Sequence, residues 1–303
     1  MMKRICLILS IMIVVSFLYI FFSKNTSNIT SLLKYKPFNS IDKSLNSSTT
    51  KISNKLPKVE VATAFYPLAS SIIENIYEKN SYNDELFYTS TSTAYEDLLS
   101  EKTDAIIVTK PSENQQKMID NSNMNIKFIP IAREALIFYT AKQSEMDSIT
   151  VENIRNIYTN QNNDGKIKND IKTYQLAKDN GSQTCFENIV KENHIDNINH
   201  FEVNDMGMII DKVARSKNSI GYAFNSFYTK IYNNSNLKLL CINKIKPNAE
   251  NIVSGRYPLM YDVYFAYNDN NSNTNITKMV EWILSEQGQK LIEYNELQRI
   301  TKY

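Results

Sequence analysis

Glycine is scarce in this 303-residue chain, at six positions. No glycine-rich phosphate loop of the nucleotide-binding type is present. Histidine is scarcer still: His194 and His200 both fall in the polar stretch ENHIDNINHF between expected elements and read as surface or capping residues. Of three cysteines, Cys6 sits in an apolar N-terminal run, which leaves Cys185 and Cys241. Neither has a second cysteine at metal-ligand spacing, and two cysteines do not make a disulfide framework, so both are assigned to packing. An excess of one charge is also missing. With 34 Lys and Arg against 32 Asp and Glu the formal charge is +2, too little to hold a polyanion, which argues against nucleic acid. The 19 tyrosines are scattered and suit packing and cleft lining better than a stacking platform. No internal repeat of fixed period appears, which excludes solenoids and propellers. The loop NQNNDGKIKNDI begins like a calcium site at Asn160, Asn162, Asp164 and Gly165, yet places Ile171 where the bidentate glutamate belongs. It reads as a polar turn, and no metal or cofactor is expected.

The N-terminus departs from this soluble composition. Lys3 and Arg4 precede an uncharged apolar run from Ile5 to Phe22. Residues 1–24 therefore read as a signal peptide or membrane anchor, with the basic residues kept on the cytoplasmic side and everything after Lys24 sent outward. The run is near the lower limit of roughly 17–25 residues for a bilayer span, and no small-x-small cleavage site follows, which favours an uncleaved anchor. Cys6 lies at the start of the run, badly placed for lipid modification. Residues 25–57, rich in Ser, Thr, Asn and Lys, have too few apolar positions to bury a face and read as a disordered tether.

After Pro57, short β-like runs alternate with longer helical ones, the pattern of an α/β sheet. Val59–Ala64, Glu85–Tyr88 and Asp104–Thr109 read as strands, and Tyr66–Lys79 and Ala94–Glu101 as helices, the first opened by Pro67. Ile126–Ala141 reads as two apolar strand segments crossing between lobes. A second lobe follows, with helices at Val151–Tyr158, Gln183–Lys191 and Met206–Ser216 and strands at Ile171–Leu176 and Ser219–Phe224. Leu237–Ile242 and Met260–Tyr267 read as strands returning to the first lobe, and Ile276–Tyr294 as one long closing helix. The expected division is 58–138 with 225–303 as lobe 1 and 139–224 as lobe 2.

Seven segments carry a family resemblance: TAFYPLASSI, TSTAYEDLLSEKTDAIIVTKPSENQ, IPIAREALIFYTAKQSEMDSITVENIRNIYTN, NGSQTCFENIV, SIGYAF, SGRYPLMYDVYFAY and VEWILSEQGQKLI. In order and spacing they resemble the phosphate-type solute-binding proteins of bacterial ABC importers, from about Lys58 to Ile300. The resemblance implies a two-lobed periplasmic-binding-protein type II fold, with a ligand held between lobes joined by crossover strands.

The residues support an oxyanion site independently, because strand ends carry hydroxyls where helices are expected to begin. Thr63 precedes the helix at Pro67, Thr89 to Thr93 precede the helix at Ala94, Thr109 ends the third strand, and Ser182 and Thr184 open the helix at Gln183. Helix N-termini offer free N–H groups and partial positive charge to an anion, although each Ser or Thr can also serve simply as an N-cap. With the resemblance, the candidate ligand-binding set is Thr63, Ala64, Thr91, Ser92, Thr109, Gly181, Ser182, Gln183 and Thr184. The chain departs from the family in three places. Relatives carry an arginine shortly before a Ser-Gly-Ser or Ser-Gly-Thr loop; here Leu176 or Lys178 stands at that place and Asn180 replaces the first serine. The first loop reads Val61-Ala62-Thr63 instead of Gly-Ser-Thr, and the third strand ends in Thr109-Lys110 instead of Ser-Asp. Lys110 and Arg133 are the candidates to supply the missing positive charge.

The expected function is capture of a small oxyanion, phosphate first, on the extracytoplasmic face of the membrane, with delivery to ABC permease subunits. No enzymatic activity is expected. A second hypothesis is a degenerate module that serves as a membrane-tethered sensor or partner-binding domain. A third, an envelope hydrolase using Cys185, requires an activated thiol.

Overall fold

The computed structural model describes residue 48 and residues 50–78, 84–159, 171–190 and 200–300. The expected membrane segment, most of the expected tether, the calcium-like loop and His194 lie outside the described residues, as does the side chain of His200. Among the described residues no helix is long and apolar enough to cross a membrane.

Lobe 1 begins with β1 (Val59–Ala62), α1 (Tyr66–Ile76), β2 (Leu86–Thr89), α2 (Thr91–Leu99), β3 (Ala105–Thr109) and α3 (Glu113–Asn121). Parallel pairing places β1 between β2 and β3. All five residues of β3 are buried, as a continuous apolar strand covered on both faces requires. Helix α3, absent from the expected elements, starts at a capping box in which Ser112 accepts from Gln115 N–H and the Gln115 side chain accepts from Ser112 N–H.

The chain then crosses in β4 (Ile126–Ala141), a single strand of 16 residues where two segments were expected. Its first half pairs antiparallel with β11 (Met260–Asn268), with a register slip at Ile131 beside Pro130, which has no N–H to give the ladder. Its second half, from Leu136, pairs with β8 (Ser219–Phe224). The sheet therefore changes lobes between Ala135 and Leu136. Lobe 2 continues with β5 (Ser148–Ile149), α4 (Val151–Thr159), β6 (Lys172–Leu176), α5 (Gly181–Val190), β7 (His200–Val203) and α6 (Met206–Ala214) before β8. β6 lies between β7 and β8, parallel to both.

Three expectations need correction. β9 (Leu237–Leu239) and β10 (Cys241–Ile242) do not return to lobe 1: β9 pairs with Tyr139–Ala141 of β4 and β10 with β5. After α7 (Ala249–Val253) the chain goes back to lobe 1 through β11. The closing helix is two, α8 (Asn275–Leu284) and α9 (Glu286–Tyr294), because Ser285 leaves helical geometry to cap Gly288 N–H, before β12 (Gln298–Arg299) pairs with β4. A Cβ on Gly288 would lie 2.3 Å from the Trp282 carbonyl, so this turn needs glycine. Finally, the part of the expected tether next to lobe 1 is packed. Ile52 is 3% exposed and its N–H donates to the Ile76 carbonyl at 2.7 Å, while Asn275 Nδ2 donates to the Asn54 carbonyl. This bridge also ends α1 early, since Tyr77 turns extended to face Ile52.

Lobe 2 is consolidated by aromatic stacking. Phe186 lies 4.5 Å from both Tyr222 and Tyr158, centroid to centroid, and all three are fully buried.

Candidate functional site

In each lobe the chain winds outward from a central strand in both directions. From β1 it goes to β2 on one side and then β3 on the other; from β6 it goes to β7 and then β8. Such reversals leave a crevice beyond the carboxyl end of the central strand, where α/β folds hold ligands. The two crevices meet. A cavity of about 50 Å³ lies between them, lined by Thr63, Ala64, Thr89, Ser90 and Thr91 from lobe 1 and by Asn180, Ser182, Asn204, Asp205 and Phe224 from lobe 2. A single water needs at least roughly 10–15 Å³, so the space admits more than one water and limits any guest to a small one.

Helix starts supply the lining. Ser90 caps α2 by accepting from Thr93 N–H, so α2 begins at Thr91, three residues before its expected start. Asn180 Oδ1 accepts from both the N–H and the hydroxyl of Ser182 at the head of α5. Asp205 caps α6, with Oδ1 accepting from Met208 N–H at 2.9 Å. Its second carboxylate oxygen, Oδ2, is buried and has no hydrogen-bond partner. Thr63 donates to the Thr89 carbonyl at 3.0 Å, and Thr89 donates to the buried Glu60 carboxyl. Burial raises the pKa of Glu60, and the Thr89 bond opposes the shift.

The lobes touch directly beside the cavity. Asp179, whose backbone is left-handed at φ 69°, accepts through Oδ1 from Ser112 at 2.6 Å and through Oδ2 from Asn114 at 3.0 Å. Its carbonyl accepts from Gln115 Nε2 at 2.8 Å and Ser92 Oγ at 3.3 Å, and Gly181 N–H donates to Thr91 Oγ1 at 3.1 Å. A Cβ on Gly181 would lie 2.6 Å from Thr109 Oγ1 and 2.9 Å from Thr91 Oγ1, so only glycine permits this approach.

The expected site residues divide accordingly. Thr63, Ala64, Thr91 and Ser182 converge on the cavity. Thr109 and Gly181 form the contact beside it. Ser92 is spent on the Asp179 carbonyl. Gln183 turns into lobe 2, where it accepts from Leu176 N–H and Tyr222 and donates to Gln175 and Glu187. Thr184 donates to the Asn180 carbonyl and faces outward. Lys110 and Arg133 do not reach the cavity. Both border a separate hollow of about 200 Å³, because in extended chain each points opposite to its neighbours Thr109 and Glu134. Arg133 is held there by Asp262 at 3.2 Å. Among the described residues, no lysine, arginine or histidine lines the cavity.

Asn204, Asp205 and Phe224 escaped the sequence reading. The signal for the first two was the run FEVND before a helix, a strand ending in an N-cap, hidden by the polar stretch in front of it. Cys185 is free and buried; burial pushes its thiol pKa up, and its contact with Thr109 only partly opposes this. Such a thiol is protonated at neutral pH and is no nucleophile.

Residues 48–294 match the family described as the PBP superfamily domain. Phosphate-binding protein PstS of Borreliella burgdorferi is 26% identical over 180 residues, covering 54% of this chain and 62% of that protein. The chain thus matches less than two thirds of that relative's length. Among solved structures, a putative phosphate ABC transporter substrate-binding protein with bound phosphate from Clostridium perfringens aligns with TM-score 0.63 at 18% identity, over 82% of this chain and 100% of that one. An ABC-type phosphate transport receptor from Vibrio cholerae gives 0.57 at 14%, over 80% and 100%. A peroxide-bound OxyR mutant of Corynebacterium glutamicum gives 0.53 at 11%, over 82% and 69%. These likenesses show the two-lobed fold; the ligand must be argued from the site.

Proposed function

The chain belongs to the PBP superfamily, and on that footing we propose that it is an extracytoplasmic solute-binding protein that captures a small protonated oxyanion, phosphate first, between its lobes for an ABC importer. One observation carries the choice of ligand: a buried, unpartnered carboxylate oxygen, Asp205 Oδ2, sits beside a cavity lined by hydroxyls and amides, with no cation among its described lining residues. A carboxylate in that setting needs a donor, because leaving a buried acceptor unpaired costs about 1–3 kcal/mol or more. Hydrogen phosphate brings a proton for Asp205 and oxygens for the hydroxyls of Ser90 and Thr91. Sulfate, fully deprotonated at neutral pH, sets an oxygen against the carboxylate.

In the mechanism the lobes part about the β4 crossing and the neighbouring run near Leu259, exposing the hydroxyls and the N–H groups at the heads of α2 and α5. The ligand enters, donates to Asp205, and the lobes close. Helix N-termini supply the positive potential that side chains do not. The N-terminal apolar segment keeps the protein at the membrane beside its permease.

Thermal unfolding of the chain with millimolar phosphate tests this. At 100 times its dissociation constant a ligand adds roughly 2.7 kcal/mol, a shift of several degrees. Phosphate should shift the midpoint and sulfate should not; no shift with any oxyanion counts against capture. A second reading, a tethered sensor or partner-binding module, is favoured by the lack of a cation among the described cavity residues. Recovery of a sensor kinase or envelope enzyme instead of permease subunits from membranes would establish it.

A further inference from the structure

Glu134 stands where β4 passes from one lobe to the other. It is fully buried. Its Oε1 accepts from Ala135 N–H at 2.7 Å, and its Oε2 meets both the N–H of Ser226, at 3.2 Å, and the hydroxyl of Ser226. Ser226 follows β8, and its hydroxyl lies also 3.2 Å from the carbonyl of Ala64, a wall of the cavity. One hydrogen therefore serves two acceptors. If Glu134 is a carboxylate, it takes the Ser226 hydrogen and leaves the Ala64 carbonyl without a donor. If Glu134 is an acid, its own O–H goes to Ser226 Oγ, and Ser226 donates to Ala64. Only the second count satisfies every group.

We propose that Glu134 is a positioning residue, held as the neutral acid, which heads a hydrogen-bond chain through Ser226 to Ala64 and so fixes the first loop of the cleft across the lobe crossing. Ionisation of Glu134 breaks the order of the chain and loosens that loop. The electrostatic surroundings agree. Burial lifts Glu134 from the ordinary 4.5 to about 7, against the hydrogen bonds of Ser226, Ala135 and Asn225. No cation is among the groups acting on it. Arg133, next on the same strand, is tied to Asp262. From α5 the neutral Cys185 thiol is electrically coupled to Glu134, and the β11 residue in register is Tyr261, whose pKa is itself raised by burial.

The sign follows. Because the folded value lies above the unfolded one, the stability this group contributes is complete below about 4.5 and is lost as pH rises through 7. The ceiling is roughly 300-fold in the folding equilibrium, the tenfold-per-unit equivalent of that difference. Glu134→Gln keeps a donor toward Ser226 Oγ and an acceptor toward Ala135 at every pH; it gives up the acceptor for Ser226 N–H, a loss that does not depend on pH and so leaves the pH comparison intact.

The experiment compares denaturant unfolding of the full wild-type chain and Glu134→Gln at pH 5 and pH 8. The wild type should lose on the order of 100-fold in folding equilibrium relative to the variant between those values. A difference that does not change with pH, or that changes in the opposite direction, overturns the proposal. Should the variant fail to fold, carbon-13 spectra of labelled glutamate in the wild type decide. A carboxyl titrating near pH 7 and displaced by Ser226→Ala supports it, and no glutamate titrating above pH 6 refutes it. A ligand arm rests on the preceding reading: the thermal shift given by phosphate should weaken several-fold more in the wild type than in Glu134→Gln from pH 6 to pH 8. If phosphate shifts neither protein, the anion reading fails while the stability comparison still judges Glu134.

Discussion

Replacing Asp205 by asparagine changes one atom at the centre of the site and leaves the local frame standing. Oδ1 still accepts from Met208 N–H, the 2.9 Å bond that caps α6, so the cap contribution of about 1 kcal/mol is kept. What changes is Oδ2, the buried oxygen without a partner, which becomes an N–H2 donor. Asp205 is 9% exposed, so solvent screens the exchange little. A hydrogen bond to a charged group contributes about 1.5–3 kcal/mol, and each 1.4 kcal/mol is about tenfold, so phosphate should bind roughly 10- to 150-fold more weakly. Sulfate should gain, because it now meets a donor. Calorimetric titration of both proteins with phosphate and with sulfate reads the reversal directly, and circular dichroism confirms that α6 is intact. Unchanged affinity for both anions in Asp205→Asn would falsify the assignment of this carboxylate as the acceptor of the ligand's proton.

Gly181→Ala puts a methyl group 2.6 Å from Thr109 Oγ1 and so should hold the lobes apart, raising the small-angle-scattering radius and weakening anion binding at least tenfold; a variant that closes normally contradicts the contact. Asp179→Ala removes the carboxylate bonds to Ser112 and Asn114. It should increase hydrogen exchange at the starts of α3 and α5 while leaving the core amides protected, and unchanged exchange at those two sites counts against a latch. Phe186→Ala empties the stack between Tyr158 and Tyr222 and should cost about 3–5 kcal/mol in urea unfolding; a loss under about 1 kcal/mol shows that lobe 2 is not held there.

The fold was legible because its strands are unambiguous: Ala105–Thr109 and Ser219–Phe224 are short apolar runs with turn signals around them, and the helices between carry clear caps. The errors share a cause. Leu237–Leu239 has no local signal saying which half of β4 it will join, and β7 lies in a polar sequence because it edges the sheet, with Phe201 46% exposed. Residues at the cavity were readable where strand end and helix start coincide, as at Thr63 and Ser182. Gln183 and Thr184 stand one and two residues beyond Ser182: the rotation of about 100° per residue on a helix turns their side chains off the face that Ser182 shares with the cavity, and Gln183 finds a full set of partners inside. Lys110 and Arg133 stand out in the sequence because an anion calls for a cation, yet neither lines the cavity. The proposed site relies instead on helix termini and on an acceptor for the ligand's own proton, Asp205, which sequence spacing alone could not bring near Thr91.

A crystal structure grown in millimolar phosphate tests the central claim most directly. The account predicts one tetrahedral anion between the lobes, with an oxygen within hydrogen-bond distance of Asp205 Oδ2 and others at the hydroxyls of Ser90 and Thr91. An anion found only in the separate hollow beside Lys110 and Arg133, or no anion between the lobes at all, contradicts it.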